Sequence, residues 1–228
     1  MSEINSVLIT GGTGGFGRAL TAHLLANDMA QRICIFSRGE HAQADMRAKL
    51  GDDPRCRWFI GDVRDRGRLI RAMQGVDLVV HAAALKRVEV GRFNPEEMIK
   101  TNIDGAVNVV EAARIVGVDR VVSLSTDKAC ESISAYGHSK AMMEAVMLAA
   151  NDTSGARGPK FAVTRFGNVW CSPGSVVPKW VDLLRRGARE VPLSSPLATR
   201  FFITMQQAVD LVIGTAAHMK GGELAIPT

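Results

Sequence analysis

The single tyrosine of this 228-residue chain, Tyr136, stands four positions before Lys140 and nine after Asp127, in the stretch STDKACESISAYGHSK. If residues 135–150 are helical, and no proline interrupts them, the i and i+4 spacing puts phenol and ammonium on one face. A phenol titrates near pH ~10 and is a poor base at neutrality. Adjacent positive charge favours the phenolate, which can then take a proton from a hydroxyl. Thr126, Asp127 and Lys128 directly follow the apolar run RVVSLS, at the carboxyl end of a strand, where an open α/β sheet forms its ligand crevice. A solvated strand-to-helix loop is the competing reading of the same three residues. His138 falls on a different helical face from Tyr136 and reads as an ordinary solvated side chain.

A second centre lies near the N-terminus, where SVLIT (6–10) meets GGTGGFG and then the helical pattern RALTAHLLA. Gly11, Gly14 and Gly17 form GxxGxxG, overlapped by GxGxxG at Gly12, Gly14 and Gly17. Between a strand and a helix, such glycines permit a tight turn and let the backbone approach a pyrophosphate seated on the helix N-terminus. Gly11, Thr13, Gly14, Gly15, Phe16 and Gly17 are therefore expected to hold a dinucleotide, whose oxidised nicotinamide would accept hydride as Tyr136 takes the proton. At the end of the second strand an acid would mark NAD. The chain has Ser37 and Arg38 instead, a hydroxyl and a planar fork of donors that suit a 2′-phosphate. NADP is expected, with Glu40 nearby keeping NAD open. Asp62 and Val63 follow the third strand and are placed to meet the adenine, although Asp62 equally suits a turn cap.

The elements that must position these groups are legible as short apolar runs: RICIF (32–36), RWFI (57–60), DLVVHAA (77–83), RVVSLS (120–125) and KFAVTRF (160–166). Unalternating strands of this kind are buried on both faces, as in a parallel sheet. Ile99, Ile103, Ala106, Val110 and Ala113 recur at helical spacing, with Gly117 placed to end that helix, and a last helix is expected near 206–219. Strands alternating with helices give right-handed crossovers and an α/β, Rossmann-like, doubly wound parallel sheet. After Asn168 the texture changes to CSPGSVVP and REVPLSSP. Residues 1–168 are expected to form an NADP-binding Rossmann domain, and 169–228 a small substrate-binding appendage.

Composition bounds the partners. With 46% hydrophobic and 22% charged residues the chain can bury one sizeable core. Its net charge of +5 comes from scattered Lys and Arg without interleaved aromatics, which argues against nucleic acid and for a phosphorylated small molecule. Cys34, Cys56, Cys130 and Cys171 make no CxxC pair and have no histidine at ligand spacing, so no metal is expected. No leader pattern or membrane-length apolar run is present, and a cytoplasmic location follows by default.

TGGTGGFG (10–17), FIGDVRD (59–65), HAAALKRV (81–88), NPEEMIKTNI (94–103), STDKA (125–129), YGHSK (136–140), RFGNV (165–169), GSVVP (174–178) and TRFFIT (199–204) together resemble the extended short-chain dehydrogenase/reductases. Within them, the chain is similar to the inverting UDP-N-acetylglucosamine 4,6-dehydratases, in register over essentially its whole length. That resemblance implies oxidation at C4, elimination of water across C5 and C6, and return of hydride to C6. It assigns Lys128 to proton transfer at C5, Asp127 to the departing C6 oxygen, and Thr126 to the C4 oxygen beside Tyr136 and Lys140. It places Ala82, Ala83, Ala84, Lys86 and Ser125 with Tyr136 and Lys140 at the cofactor. Lys86, Asn168, Val176, Ser194 and Arg200 would hold the substrate, with Arg200 on its diphosphate. Asn102 matches the superfamily's structural asparagine, a position that helix packing explains equally well. Pairing through the long helices, at least as a homodimer, is implied too.

The chain departs from this family in three places. WCSPGSV stands where GSRGSV is usual, so that Cys171 and Pro173 replace a Gly and an Arg and one positive charge is lost. Glu131 and Ser132 stand where Asn and Pro are usual. The family also continues beyond the equivalent of Thr228, so the substrate-binding portion is expected to be incomplete. A sugar-nucleotide epimerase or ketoreductase would keep Tyr136 and Lys140 without needing Asp127 and Lys128. A nonenzymatic NADP sensor could dispense with the tyrosine.

Overall fold

A computed structural model describes residues 4–172, 174–193, 195 and 197–227. Strands and helices alternate: β1 (Ser6–Thr10), α1 (Gly15–Ala26), β2 (Arg32–Ser37), α2 (Glu40–Lys49), β3 (Cys56–Ile60), α3 (Arg66–Ala72) and β4 (Leu78–His81). α4 (Val88–Phe93), α5 (Pro95–Met98), a π-helical turn (Ile99–Asp104) and α6 (Gly105–Val116) lead to β5 (Arg120–Thr126). A 3-10 turn (Asp127–Ala129), α7 (Ala135–Asp152) and β6 (Lys160–Phe166) follow. The remainder comprises β7 (Asn168–Val169), α8 (Val176–Arg185), β8 (Phe202–Ile203), α9 (Met205–His218) and β9 (Leu224–Ala225).

Seven strands pair in parallel in the order β3-β2-β1-β4-β5-β6-β9. Both faces are covered, which explains why the strands read as unbroken apolar runs. Leu8, Phe36, Val79, Val121 and Val163 pack with Leu69 of α3, Val109 of α6 and Met143 and Met147 of α7. Val7, Ile9, Ile33, Ile35, Val80 and Val122 pack on the other side with Leu20 of α1, Met46 of α2 and Val209 and Val212 of α9. Each fully buried Ile or Leu contributes about 1.5–3 kcal/mol.

Two local departures from the sequence reading share one cause. The fourth strand was expected to reach residue 83 but stops at His81, and the helix through Ile99 and Ala113 is interrupted by π-helical backbone. The wider turn buries Asn102, whose Oδ1 accepts from Leu85 N–H at 2.8 Å while its Nδ2 donates to Leu85 C=O and Ser139 Oγ, both at 2.9 Å. Leu85 therefore takes its backbone partners from a side chain and leaves the sheet. Gly117 ends α6 in the left-handed region at φ 79°, where L side chains are strained.

Beyond residue 168 the short β7–β8 pair and α8 stand at the carboxyl end of the sheet, and then α9 and β9 rejoin the main layers, β9 pairing with β6 at Val163 and Leu224. α9 begins with a capping box between Thr204 and Gln207. No helix among the described residues is long and apolar enough to cross a membrane.

Candidate active site

The order of the sheet reverses between β1 and β4, and an open α/β sheet has its crevice at that switch point. Gly11 turns out of β1 at φ 66°, and a Cβ there would lie 2.8 Å from Ala83 Cα. A Cβ on Gly17 would lie 2.6 Å from Gly12 Cα, so only glycine lets α1 start this close to the turn. The result is a cavity of about 360 Å³ lined by Gly11, Thr13, Gly14, Gly15, Phe16, Gly17, Ser37, Arg38, Asp62, Val63, Ala82, Ala83, Ala84 and Lys86. Ser37 accepts from Gln43 Nε2 at 3.0 Å, which leaves its own proton free to donate. The Arg38 side chain is exposed and 3.8 Å from Asp62. Asp62 caps its own turn, accepting from Arg64 N–H at 3.0 Å, and also lines the cavity, so both readings of it hold geometrically. Burial raises the Asp62 carboxyl, but bonds from Arg64 and the charge of Arg38 outweigh it and hold the group below its usual range.

A larger cavity of about 800 Å³ opens beyond, sharing Gly15, Phe16, Ala82, Ala84 and Lys86 with the first and lined by Ser125, Thr126, Lys128, Tyr136 and Lys140. β5 delivers Ser125 and Thr126, the 3-10 turn delivers Lys128, and Ser134 caps the N-terminus of α7 through Gly137 N–H, fixing where Tyr136 stands in the first turn of the helix. Asp127 Oδ1 accepts from Thr126 Oγ1 and from Lys128 Nζ, each at 2.9 Å. Lys128 Nζ also donates to Asn168 Oδ1 at 3.1 Å, tying the 3-10 turn to β7. Lys128 thus stands at the cavity wall, and Asp127, which is not among the lining residues, is bonded to it and to Thr126 from behind.

Burial dominates the electrostatics of the helix. It pushes the Tyr136 phenol up to about 12, against a hydrogen bond with Thr126 and with help from the Asp127 charge. It pushes Lys140, 4% exposed, down to about 8, against the Glu144 carboxylate one turn along. The expected lowering of the phenol is therefore absent from the protein alone, and further positive charge must arrive with a ligand. Glu144 is itself fixed by Arg165 of β6, whose Nε and Nη2 donate at 3.0 and 2.5 Å.

Asn168, Val176 and Arg200 line the larger cavity, and Ser194 lies outside the described residues. His138 is exposed and bonded to Ser132 at 2.7 Å, away from the cavity. Sequence reasoning missed Arg87, Lys179 and the edge-on pair Trp170 and Phe202, with ring centroids 5.3 Å apart, which also line the cavity. It missed Glu144 as well, which the same i and i+4 spacing from Lys140 marks. Six cations line this cavity, Lys86, Arg87, Lys128, Lys140, Lys179 and Arg200, against the single carboxylate of Glu89 among the described residues. That imbalance favours an anionic ligand.

The chain matches the polysaccharide biosynthesis protein family over residues 7–228. It is 46% identical over 227 residues to an inverting UDP-N-acetylglucosamine 4,6-dehydratase of Campylobacter jejuni, covering 100% of this chain and 68% of that protein. It is 42% identical over 224 residues to a UDP-glucose 4-epimerase of Rickettsia bellii, covering 97% and 65%. A dTDP-glucose 4,6-dehydratase of Streptomyces venezuelae, solved with NAD bound, superposes with a TM-score of 0.88 at 28% identity, over 96% of this chain and 74% of that one. The chain spans about two thirds of the length of the curated relatives it matches.

Proposed function

The chain belongs to the polysaccharide biosynthesis protein family of extended short-chain dehydrogenase/reductases, and from that membership we propose that it is an NADP-dependent nucleotide-sugar 4,6-dehydratase. UDP-N-acetylglucosamine or a close relative is its substrate. The observation that carries this reading is that Thr126, Lys128 and Asn168 line the cavity that also holds Tyr136 and Lys140, with Asp127 bonded to Thr126 and Lys128 beside it. The dinucleotide fits the cradle in which any Cβ at Gly11 or Gly17 would meet backbone. Thr13 and Gly14–Gly17 lie at its pyrophosphate, and the exposed guanidinium of Arg38 with the free proton of Ser37 favours a 2′-phosphate.

When bound, the oxidised nicotinamide supplies a hydride acceptor for C4, a later donor for C6, and a positive charge beside Tyr136. Tyr136 takes the C4 hydroxyl proton while Thr126 bonds the C4 oxygen. A ketone at C4 makes the C5 hydrogen acidic. A proton passed along the hydrogen bond from Lys128 to Asp127 leaves a neutral amine and a carboxylic acid. The amine removes the C5 proton, and the acid protonates the C6 oxygen as it departs as water. A proton from solvent would return to C5 as C6 is reduced, and the Lys128 ammonium would give its own proton up to solvent; delivery from the face opposite Lys128 would invert C5. Lys86, Asn168, Val176 and Arg200 hold the nucleotide sugar, with Arg200 forked onto the diphosphate.

The protein works in the cytoplasm as a homodimer, a reading supported by its free cysteines and by exposed Val107, Ile115 and Met142 on the long helices. The Rickettsia relative favours a second reading, 4-epimerisation, which needs Tyr136 and Lys140 but gives the Asp127–Lys128 proton nothing to do. Incubation with UDP-N-acetylglucosamine and NADP, followed by proton NMR, should give a 4-keto-6-deoxy sugar without net consumption of NADPH. A product changed only at C4 would sink the dehydratase.

A further inference from the structure

His81 ends β4 in the middle of the sheet and has no part in the chemistry above. The pairing register puts Thr10, His81 and Ser123 side by side on β1, β4 and β5. Two residues earlier on the same strands stand Leu8, Val79 and Val121, which pack against Met143 and Met147 of α7. Side chains two apart share a sheet face, so Thr10, His81, Ser123 and Ser125 all point toward α7. Lys140 lies one turn before Met143, on the buried side of that helix. The row therefore sits beneath the lysine of the Tyr-Lys pair.

This row carries polar atoms that the protein itself leaves without partners. His81 is 1% exposed, its Nδ1 is 2.8 Å from Thr10 Oγ1, and its Nε2 is buried without a hydrogen bond. Ser123 Oγ and Ser125 Oγ, from side chains 0% and 5% exposed, are in the same condition. Buried polar atoms are nearly always satisfied, by protein or by internal water, and three in one row face a buried ammonium. We infer that His81 is a positioning residue for Lys140: with Nδ1–H donated to Thr10, its Nε2 lone pair holds the ammonium through a water shared with Ser123.

The other groups around Lys140 do not supply this. On α7, Tyr136 is a phenol and Glu144 is engaged by Arg165 of β6. Asp127 and Lys128, beyond β5, are bonded to one another. The π-helical turn presents the buried, uncharged Thr101 and Asn102, and Asn102 is committed to Leu85 and Ser139. The charge of Lys140 does reach the imidazole, adding to the burial that keeps His81 neutral.

The inference concerns the pair whose use rests on the proposed activity, but its test needs no substrate. In the wild-type protein, 15N NMR of the histidines should show a neutral His81 with a pyridine-like, unprotonated Nε2. A pyrrole-like Nε2–H would overturn the inference whatever any variant does. Carbon NMR of labelled lysine should place the Lys140 midpoint near the value of about 8 that its burial sets. His81→Phe should move that midpoint down by about one pH unit, a tenfold change, whereas His81→Gln, which keeps an acceptor, should restore most of it. An unchanged or raised midpoint in His81→Phe would equally overturn it. Failure to turn over a nucleotide sugar would defeat the functional reading and leave these measurements standing.

Discussion

Acidification from pH 7.5 to 5 should cost the folded protein about 2 kcal/mol through His81 alone. Burial, with the charge of Lys140, pushes this imidazole from 6.5 to about 3. Unfolded, it titrates normally. Between pH 6.5 and 3 the unfolded chain therefore binds a proton that the folded protein refuses, so stability is lost as pH falls through that window. At pH 5 the group is about 1.5 pH units below its unfolded midpoint, and at about 1.4 kcal/mol per unit this gives about 2 kcal/mol. Urea unfolding at both pH values, on wild type and His81→Phe, reads the effect because carboxylates contribute equally to both proteins. The lowered Lys140 midpoint of the variant adds less than about 1 kcal/mol to the variant's own loss. Wild type should lose about 1–2 kcal/mol more than the variant, or about 2–8 °C of Tm for a chain of this size. Equal losses would refute the buried, neutral imidazole.

Lys128→Met should abolish elimination, with product formation down at least about 100-fold and NADP affinity within about twofold, checked by turnover and by titrating the dinucleotide; a collapse of both would remove Lys128 from proton transfer. Arg38→Ala should weaken NADP by about tenfold or more and leave NAD nearly unchanged, since one charged hydrogen bond is worth about 1.5–3 kcal/mol; equal losses in calorimetry would count against the 2′-phosphate contact. Glu144→Gln should cost about 2 kcal/mol in urea unfolding, below the 3–5 of a severed buried pair because the amide still accepts from Arg165. It should also lower the alkaline limb of turnover, because Glu144 holds the Lys140 midpoint up.

The sheet was legible because each strand is buried on both faces and so carries an uninterrupted apolar run, and the glycine turn because only a missing Cβ lets Gly11 and Gly17 pack as closely as they do. Tyr136 and Lys140 declared themselves by helical spacing and do line one cavity with Lys128. The π-helical turn was not legible: its cause is one side chain, Asn102, reaching two segments distant in sequence. His81 was hidden for a similar reason, since its significance comes from register with Thr10 and Ser123 rather than from its neighbours in the chain. The raised Tyr136 phenol escaped as well, because residue spacing reports proximity of charge and says nothing of how far burial outweighs it.

The central claim is that Lys128 moves the C5 proton while Asp127 protonates the departing C6 oxygen, and the direct measurement is the reaction of UDP-N-acetylglucosamine run in deuterium oxide. The expected product is a 4-keto-6-deoxy sugar carrying deuterium at C5 and hydrogen transferred within the sugar from C4 to C6. Hydrogen retained at C5, with the sugar altered only at C4, would contradict it.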